Sequence, residues 1–522
     1  MTSRMKTRYF QLAILLAAIV GPSLYLAYSY QSGYLGFPLD DAWIHQTYAR
    51  NLAETGQLAF RPGQPSAGST SPASTFLLSV GYLVGIDFRL WTYLLGILAL
   101  VATGILVYRL FRLLEPARPQ AALLTGLFCA VEWHLVWASA SGMETMLFIA
   151  LSLGLLDAFL TQTEAVRRGP VDRPASLEYE ARFVRSIGIG LLAGILGLTR
   201  PEGLGLAGLV FAGLLLFPRP AGRQEVRARL VTAGVALLAF AAILTPYVLF
   251  NLEVSGSPWP NTFYAKQTEY QSGGPLPLRL WRVLSPTLVG AQMLLVPGFL
   301  YAAYETVRRR AWPALVPLLW WLGFLVVYAL RLPVGYQHGR YIMPTIPILI
   351  LYGAWGTALL VRPRSSRLLE RVISRALPVA LGILALVFLF RGALAYRDDV
   401  AFIQEEMVAT AFWLNDNTAP GDLLAVHDIG AVGYYTERPL LDLAGLITPE
   451  VIPFMTDADL LMAWMLEQGA DYAVFFPDFS STYAALAVSP ELAEVHCTDY
   501  EWTQSTGHEN MCVYEVLHLD NP

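Results

Sequence analysis

Two adjacent carboxylates stand in the run Phe37-Pro38-Leu39-Asp40-Asp41-Ala42-Trp43-Ile44-His45. Paired acids suit a site in which one carboxylate takes a proton while the other orients it or holds a cation. They equally suit a helix start, with Asp40 as cap and Asp41 as a first-turn acid favoured by the helix dipole. Both readings can hold together. Ile44, Tyr48 and Leu52 recur every fourth residue behind the pair, which predicts a helix with one apolar stripe lying at a membrane surface.

Further ionisable and polar groups occur at helix-joining positions rather than inside apolar runs. Glu144 ends Ser139-Ala140-Ser141-Gly142-Met143-Glu144, and Arg200 and Glu202 lie in Leu198-Thr199-Arg200-Pro201-Glu202-Gly203. Asn261, Tyr264 and Lys266 lie in Pro260-Asn261-Thr262-Phe263-Tyr264-Ala265-Lys266, and His338 and Arg340 in Gln337-His338-Gly339-Arg340-Tyr341. Singly, each has an ordinary explanation: a hinge ion pair, a loop charge or an interface anchor. Placed together with Asp40 and Asp41, these cations and acids suit a substrate carrying a phosphate on a long apolar tail. No metal-ligand spacing such as His-Glu-x-x-His occurs, so a divalent cation at Asp40 and Asp41 is left open.

The elements that must position these groups follow from composition. The 522 residues are 55% hydrophobic and 14% charged, with a mean hydropathy of +0.48. A soluble domain carries about 25% charged residues, so the chain is a polytopic membrane protein rather than a string of soluble domains. The net charge of -5 gives no argument for nucleic acid. Spans of about 20 apolar residues are expected at 9–30, 89–111, 119–139, 143–161, 186–199, 202–217, 229–250, 285–306, 312–331, 341–361 and 376–395. The first follows Arg4, Lys6 and Arg8 but lacks a small-residue cleavage site, so it is read as an anchor. The apolar run 72–86 is too short to cross and is expected to be interfacial or half-buried.

With the N-terminus inside, 23 of the 35 Lys and Arg residues collect in alternate, cytoplasmic loops, Arg308 to Arg310 among them. Every candidate site residue then falls on the opposite, outer face. Two domains are expected: 1–395, an all-α membrane domain with a first outer loop at 31–88, and 396–522, an extracytoplasmic α/β domain. In the latter, 401–415 is helical by pattern, while Asp422–Val426, Pro439–Leu443 and Ala473–Phe476 read as strands. Cys497 and Cys512 can pair in an oxidising compartment, while Cys129 falls in an apolar stretch as a small core residue.

These motifs resemble those of the GT-C superfamily, integral membrane glycosyltransferases that draw sugars from polyprenyl-phosphate carriers. The likeness is greatest to the bacterial branch of terminal arabinofuranosyltransferase-like and protein mannosyltransferase-like members. It is carried by Leu39 to His45, Tyr48 to Leu52, Gly68 to Pro72, Ser141 to Thr145, Thr199 to Gly203, Pro260 to Lys266 and Gly339 to Pro344, and in the tail by His427 to Tyr435 and Leu441 to Leu446. The resemblance implies an aspartate of the Asp40-Asp41 pair as catalytic base and inversion at the anomeric carbon. Arg200, Lys266, His338 and Arg340 are then the candidates for the donor phosphate. Glu144, Glu202, His45 and Asn261 would orient cations or sugar hydroxyls, and Trp43, Trp259 and Tyr264 would stack on the sugar or anchor at the interface. The implied partners are the lipid-linked sugar and a glycan, lipid or protein acceptor at the outer face of the bacterial inner membrane. The rival classes are a transporter or flippase of lipid-linked or anionic substrates and a membrane-anchored carbohydrate sensor. A transporter would show internal repeats and charges at the bilayer midplane.

Overall fold

The computed structural model describes residues 3–168, 175–217, 222–269, 274–361 and 367–518. The counted basic residues Arg173, Arg219, Arg362 and Arg364 lie outside the described residues. Helix α1 (Ser3–Gln31) leads to α2 (Asp40–Thr55), a small hairpin of β1 (Ala59–Arg61) and β2 (Gln64–Pro65), and α3 (Pro72–Val84). Then come α4 (Phe88–Leu114), α5 (Pro119–Val131), α6 (Trp133–Ala140), α7 (Thr145–Arg168), α8 (Ala175–Thr199), α9 (Gly203–Leu216), α10 (Arg223–Ser255) and α11 (Asn261–Glu269). The bundle is completed by α12 (Leu276–Thr287), α13 (Val296–Arg308), α14 (Leu315–Arg331), α15 (Ile346–Leu360) and α16 (Leu368–Phe402).

Among the described residues, eight helical stretches are long and apolar enough to cross a membrane, or ten if the bent pairs α5–α6 and α12–α13 each count as one. The remaining expected span, 202–217, forms only the 14-residue α9, roughly 21 Å at 1.5 Å per residue against a hydrocarbon core of about 30 Å. The hinge at Arg200-Pro201-Glu202 takes the residues that would have lengthened it. The expected span 285–306 is not one rod either: α12 and α13 meet at 111°. In α5–α6 the break is at Glu132, whose backbone is extended (φ -64°, ψ 125°) and whose side chain caps α6 at Leu135 N. Small residues let the helices approach closely: a Cβ on Gly356 of α15 would fall 1.8 Å from the carbonyl oxygen of Gly298 in α13.

The expected surface helix after the first span is α2, but it is not at the surface. Trp43, Tyr48 and Ala49 are fully buried, because α3 packs on one side and a helix of the C-terminal region on the other. The run 72–86 forms the 13-residue α3. It is half-buried as expected, with Phe76, Leu83 and Val84 exposed and Leu78 and Ser79 buried.

From α16 the chain continues without a break through a π-helical turn (Ile403–Val408) into α17 (Ala409–Asn417). Then follow β3 (Leu424–Val426), α18 (Ile429–Tyr435), β4 (Leu440–Asp442), α19 (Ala458–Glu467), β5 (Tyr472–Phe475), α20 (Ser481–Leu486), β6 (Leu492–Cys497), α21 (Glu501–Ser505) and β7 (Cys512–Val516). The sheet order is β4-β3-β5-β7-β6. β3 pairs in parallel with β4 and β5, and β7 runs antiparallel to β5 and β6. The three expected strands are present, β3 starting two residues later than expected, β4 shorter by one residue at each end and β5 shifted one residue towards the N-terminus. Strands β6 and β7 were not expected; charged and polar residues such as Glu494, His496 and Glu515 interrupt their apolar pattern. Cys497 and Cys512 face each other across β6 and β7 and form a disulfide. Cys129 is buried and free.

The Glu406 carboxylate, fully buried in the π-helical turn, ties the C-terminal strands to the long helix. It accepts hydrogen bonds from the Thr498 and Thr503 hydroxyls, the Asn510 amide (2.7 Å) and Met511 N (3.0 Å). A buried carboxylate is tolerated only when its lone pairs are filled in this way.

Candidate active site

The two aspartates at the start of α2 point to different partners. Asp40 is not the cap of its own helix: Leu39 occupies that position, with no side-chain cap bond. Its carboxylate instead accepts from Gly430 N and Ala431 N, both at 2.7 Å, and so caps α18 from nearly four hundred residues away. Burial, with Asp428 nearby, pushes its carboxyl up to about 7, against the pull of those two amides.

Asp41 faces a cavity of about 350 Å³ at the end of the bundle. Its Oδ2 is 2.5 Å from Arg340 Nη2 and its Oδ1 is 3.3 Å from Lys266 Nζ. The Tyr341 hydroxyl accepts from both cations at 2.9 Å. Burial alone would raise the Asp41 carboxyl, but Arg340 and Lys266 hold it far below the usual carboxylate range. Lys266 is correspondingly kept protonated: burial works against its charge, and Asp41 more than offsets that. The Arg340 Nε and Nη1 atoms are buried and meet no acceptor among the described residues, so part of its hydrogen-bonding capacity is unspent.

A second charge cluster lines the same cavity. Arg200 Nη2 donates to Glu202 Oε1 at 3.2 Å and to the Tyr328 hydroxyl at 2.8 Å, and its Nε lies 3.6 Å from Glu144 Oε1. Tyr328 in turn bonds Glu202. His45, one helical turn beyond Asp41, places Nε2 at 3.2 Å from Glu144 Oε2. His45 and Arg200 keep the buried Glu144 carboxyl below its ordinary range, against the desolvation that would raise it.

Chain geometry explains why these groups meet. α8 and α10 both end beside the cavity, so α9 must run back from it, and Arg200 and Glu202 fall at the turn. The backbone of 67–70 is pinned there by Asn261 N to Ala67 O (2.9 Å), the Thr262 hydroxyl to Gly68 O (2.7 Å) and the Tyr247 hydroxyl to Ser69 O (2.5 Å). Leu446, from the loop after β4, closes another part of the lining.

Of the sequence candidates, Asp41, His45, Glu144, Arg200, Glu202, Lys266 and Arg340 line the cavity, and so does Trp259. Asp40, Trp43, Asn261, Tyr264 and His338 are not part of its lining. Trp43 is buried in an aromatic cluster with Phe37, Tyr434 and Tyr435, where no sugar can reach it. Asn261 holds backbone at the start of α11, and the Tyr264 hydroxyl lies 3.0 Å from Ser257 Oγ. His338 turns to Asp399 of α16, with Nε2 at 2.7 Å from Oδ2. The sequence reading missed Tyr328 and Tyr341, whose hydroxyls bridge the charged groups. Tyr341 stood inside a quoted motif, and its neighbour Arg340 was the available signal.

The pair does not fit a divalent cation as it stands. Asp40 is committed to backbone amides and both Asp41 oxygens are bonded to cations, so the two carboxylates of the pair turn to different partners rather than to one shared ion. Among the described residues, the one cluster with metal-like spacing is Glu494, Cys497 and Cys512, and its cysteines are joined to each other.

The fold is that of the GT-C glycosyltransferases. Oligosaccharyltransferase AglB from Archaeoglobus fulgidus, solved with an inhibitory peptide and a dolichol-phosphate, matches 99% of this chain and 75% of its own at 14% identity and TM-score 0.61. ArnT from Cupriavidus metallidurans, bound to undecaprenyl phosphate, matches 100% of both chains at 16% identity and TM-score 0.56. Arabinofuranosyltransferase AftD from Mycobacteria reaches a TM-score of only 0.47, at 15% identity over 97% of this chain and 42% of its own. Residues 395–514 match a family model described as a domain of unknown function, DUF8728. No curated protein matches the sequence.

Proposed function

We propose that this chain is a membrane glycosyltransferase that takes a sugar from a polyprenyl-phosphate carrier and passes it to a glycan, lipid or protein acceptor of the cell envelope, with inversion. One observation carries the reading: a single carboxylate, Asp41, meets Arg340 and Lys266 in a cavity that Arg200 also lines. Fixed cations beside a base are what displacement of a phosphate leaving group needs. The lipid class draws support from AglB and ArnT, solved with dolichol-phosphate and undecaprenyl phosphate. The gathering of charges at one end of the bundle, rather than at its midplane, favours an enzyme over a flippase.

The phosphate would sit on Arg340 and Lys266, with Arg200 beside them, and so compete with Asp41 for the same cations. Their redistribution raises the proton affinity of Asp41 when the donor is bound. The acceptor oxygen then attacks the anomeric carbon opposite the phosphate and gives its proton to Asp41. The bond to the phosphate oxygen breaks, and its electron pair leaves on polyprenyl phosphate. Glu144 and Glu202 hold Arg200, and their free lone pairs suit sugar hydroxyls. We assign 1–395 to this transferase unit and 396–522 to an extracytoplasmic unit that completes the cavity wall. The arginine excess of the opposite loops and the Cys497–Cys512 bond support a cytoplasmic N-terminus and an outward site.

The test is to incubate purified protein in detergent, with no gradient, with a set of polyprenyl-phosphate sugars and follow release of polyprenyl phosphate. Mass spectrometry of envelope glycans and lipid carriers after gene deletion identifies the sugar. Absence of release from every donor, with an unchanged carrier pool in the deletion strain, rejects the reading.

A further inference from the structure

Immediately before Arg340 the backbone does something costly. Gln337 (φ 52°), His338 (φ 57°) and Gly339 (φ 68°) lie one after another in the left-handed region, which side chains other than glycine disfavour. Gly339 has no freedom to be anything else, since a Cβ there would fall 2.6 Å from Pro286 Cβ. Gln337 and His338 have no such excuse, so their surroundings must impose the turn.

The surroundings are specific. His338 donates from Nε2 to Asp399 Oδ2 at 2.7 Å, and the same oxygen accepts from Trp137 Nε1 at 2.8 Å. The imidazole lies between two indoles, with centroids 5.4 Å from Trp133 and 5.3 Å from Trp137, both edge-on. Trp133 is itself fixed by its Nε1, which donates to Val289 O at 2.7 Å. Three elements therefore converge on one imidazole. They are α6, which leads to Glu144; the turn that leads to Arg340; and α16, which continues into the C-terminal region.

We propose that His338, held by Asp399 and the Trp133–Trp137 pair, is a positioning residue: it locks the left-handed turn that aims the Arg340 guanidinium at Asp41. The value of this aim rests on the anion-binding reading given above, whereas the lock itself does not. A displacement of about 1 Å at a reacting group costs up to about a hundredfold in rate, so an arginine on a loose turn would serve poorly.

The test uses the full-length protein in detergent with undecaprenyl phosphate as probe. His338→Gly keeps a left-handed backbone without strain but removes the ring. His338→Gln places an amide donor at about the reach of the lost Nε2, on a left-handed backbone that the neighbouring Gln337 already adopts. Probe affinity is expected to fall about tenfold in His338→Gly, a loss of about 1.4 kcal/mol, and to be largely restored in His338→Gln. In an Arg340→Ala background, His338→Gly should add nothing further, which a general loss of stability would not produce. Amide exchange at 337–342 should rise in His338→Gly and Asp399→Ala, and stay near wild type in His338→Gln. Unchanged exchange in this segment, or full additivity with Arg340→Ala, overturns the lock. If Arg340→Ala itself leaves probe affinity intact, the anion-binding reading fails instead, and the lock stands or falls on the exchange data.

Discussion

Replacing Asp41 by Asn should move turnover and donor binding in opposite directions. The amide keeps the shape of the side chain and one acceptor oxygen but can neither take a proton nor hold Arg340 and Lys266 by charge. Loss of a general base costs roughly 10²–10⁴-fold in rate, equivalent to about 2.7–5.4 kcal/mol of barrier. Binding obeys a different sum. The Asp41–Lys266 contact at 3.3 Å, taken at an effective dielectric constant of about 20, represents an attraction of about 5 kcal/mol. The donor phosphate must overcome part of it. Release of even a quarter of that competition tightens binding by about tenfold. The assay pairs single-turnover sugar transfer with equilibrium binding of undecaprenyl phosphate, in wild type and Asp41→Asn. Turnover within about threefold of wild type would refute the base assignment. Donor binding that weakens in proportion to turnover would show that Asp41 only supports the structure.

Arg200→Ala leaves Glu144 and Glu202 facing the cavity without their shared cation, so the donor KM should rise tenfold or more, with a smaller change for the acceptor; an unchanged donor dependence removes Arg200 from phosphate binding. Asp40, pushed up to about 7 by burial and Asp428, binds its proton more tightly folded than unfolded. Its contribution to stability is therefore full below about pH 4 and is lost as pH rises through about 7. Asp40→Asn should flatten that part of the melting-temperature profile in detergent, and an unaltered profile means another group sets it. Cys497→Ser opens a link with a sequence separation of 15 and is expected to cost about 3 kcal/mol, read as a lower melting temperature or faster proteolysis of the C-terminal region.

The spans were legible because apolar length is a property of the sequence itself, and the positions of the hinge at Arg200 to Glu202 and of the turn at Gln337 to Arg340 came with them. What the sequence concealed was direction. Asp40 and Asp41 are neighbours on a helix start, and nothing local tells that one side chain turns to α18 while the other enters the cavity. His338 and Arg340 are two residues apart, yet consecutive left-handed residues send them to opposite partners, one to Asp399 and the other to Asp41. α2 was placed at the surface because its stripe of Ile44, Tyr48 and Leu52 is amphipathic. The burial of Gln46, Thr47 and Asn51 follows from specific bonds, such as Gln46 to Thr92 at 2.9 Å and Asn51 to Phe60 O at 2.8 Å, which no periodicity reveals. Tyr328 and Tyr341 escaped notice because tyrosines at a membrane boundary are common.

The capping of α18 by Asp40 makes the ends of the polypeptide inseparable in engineering terms. A chimera that grafts a foreign C-terminal region onto this bundle must supply two amides at the positions of Gly430 and Ala431. Otherwise the buried Asp40, next to a residue of the cavity, loses its two amide donors, and the wall containing Leu446 goes with them. On the proposed function, truncation before residue 424 would therefore be read as a loss of transfer, even though the ionisable residues that line the cavity, from Asp41 to Arg340, are upstream of the cut.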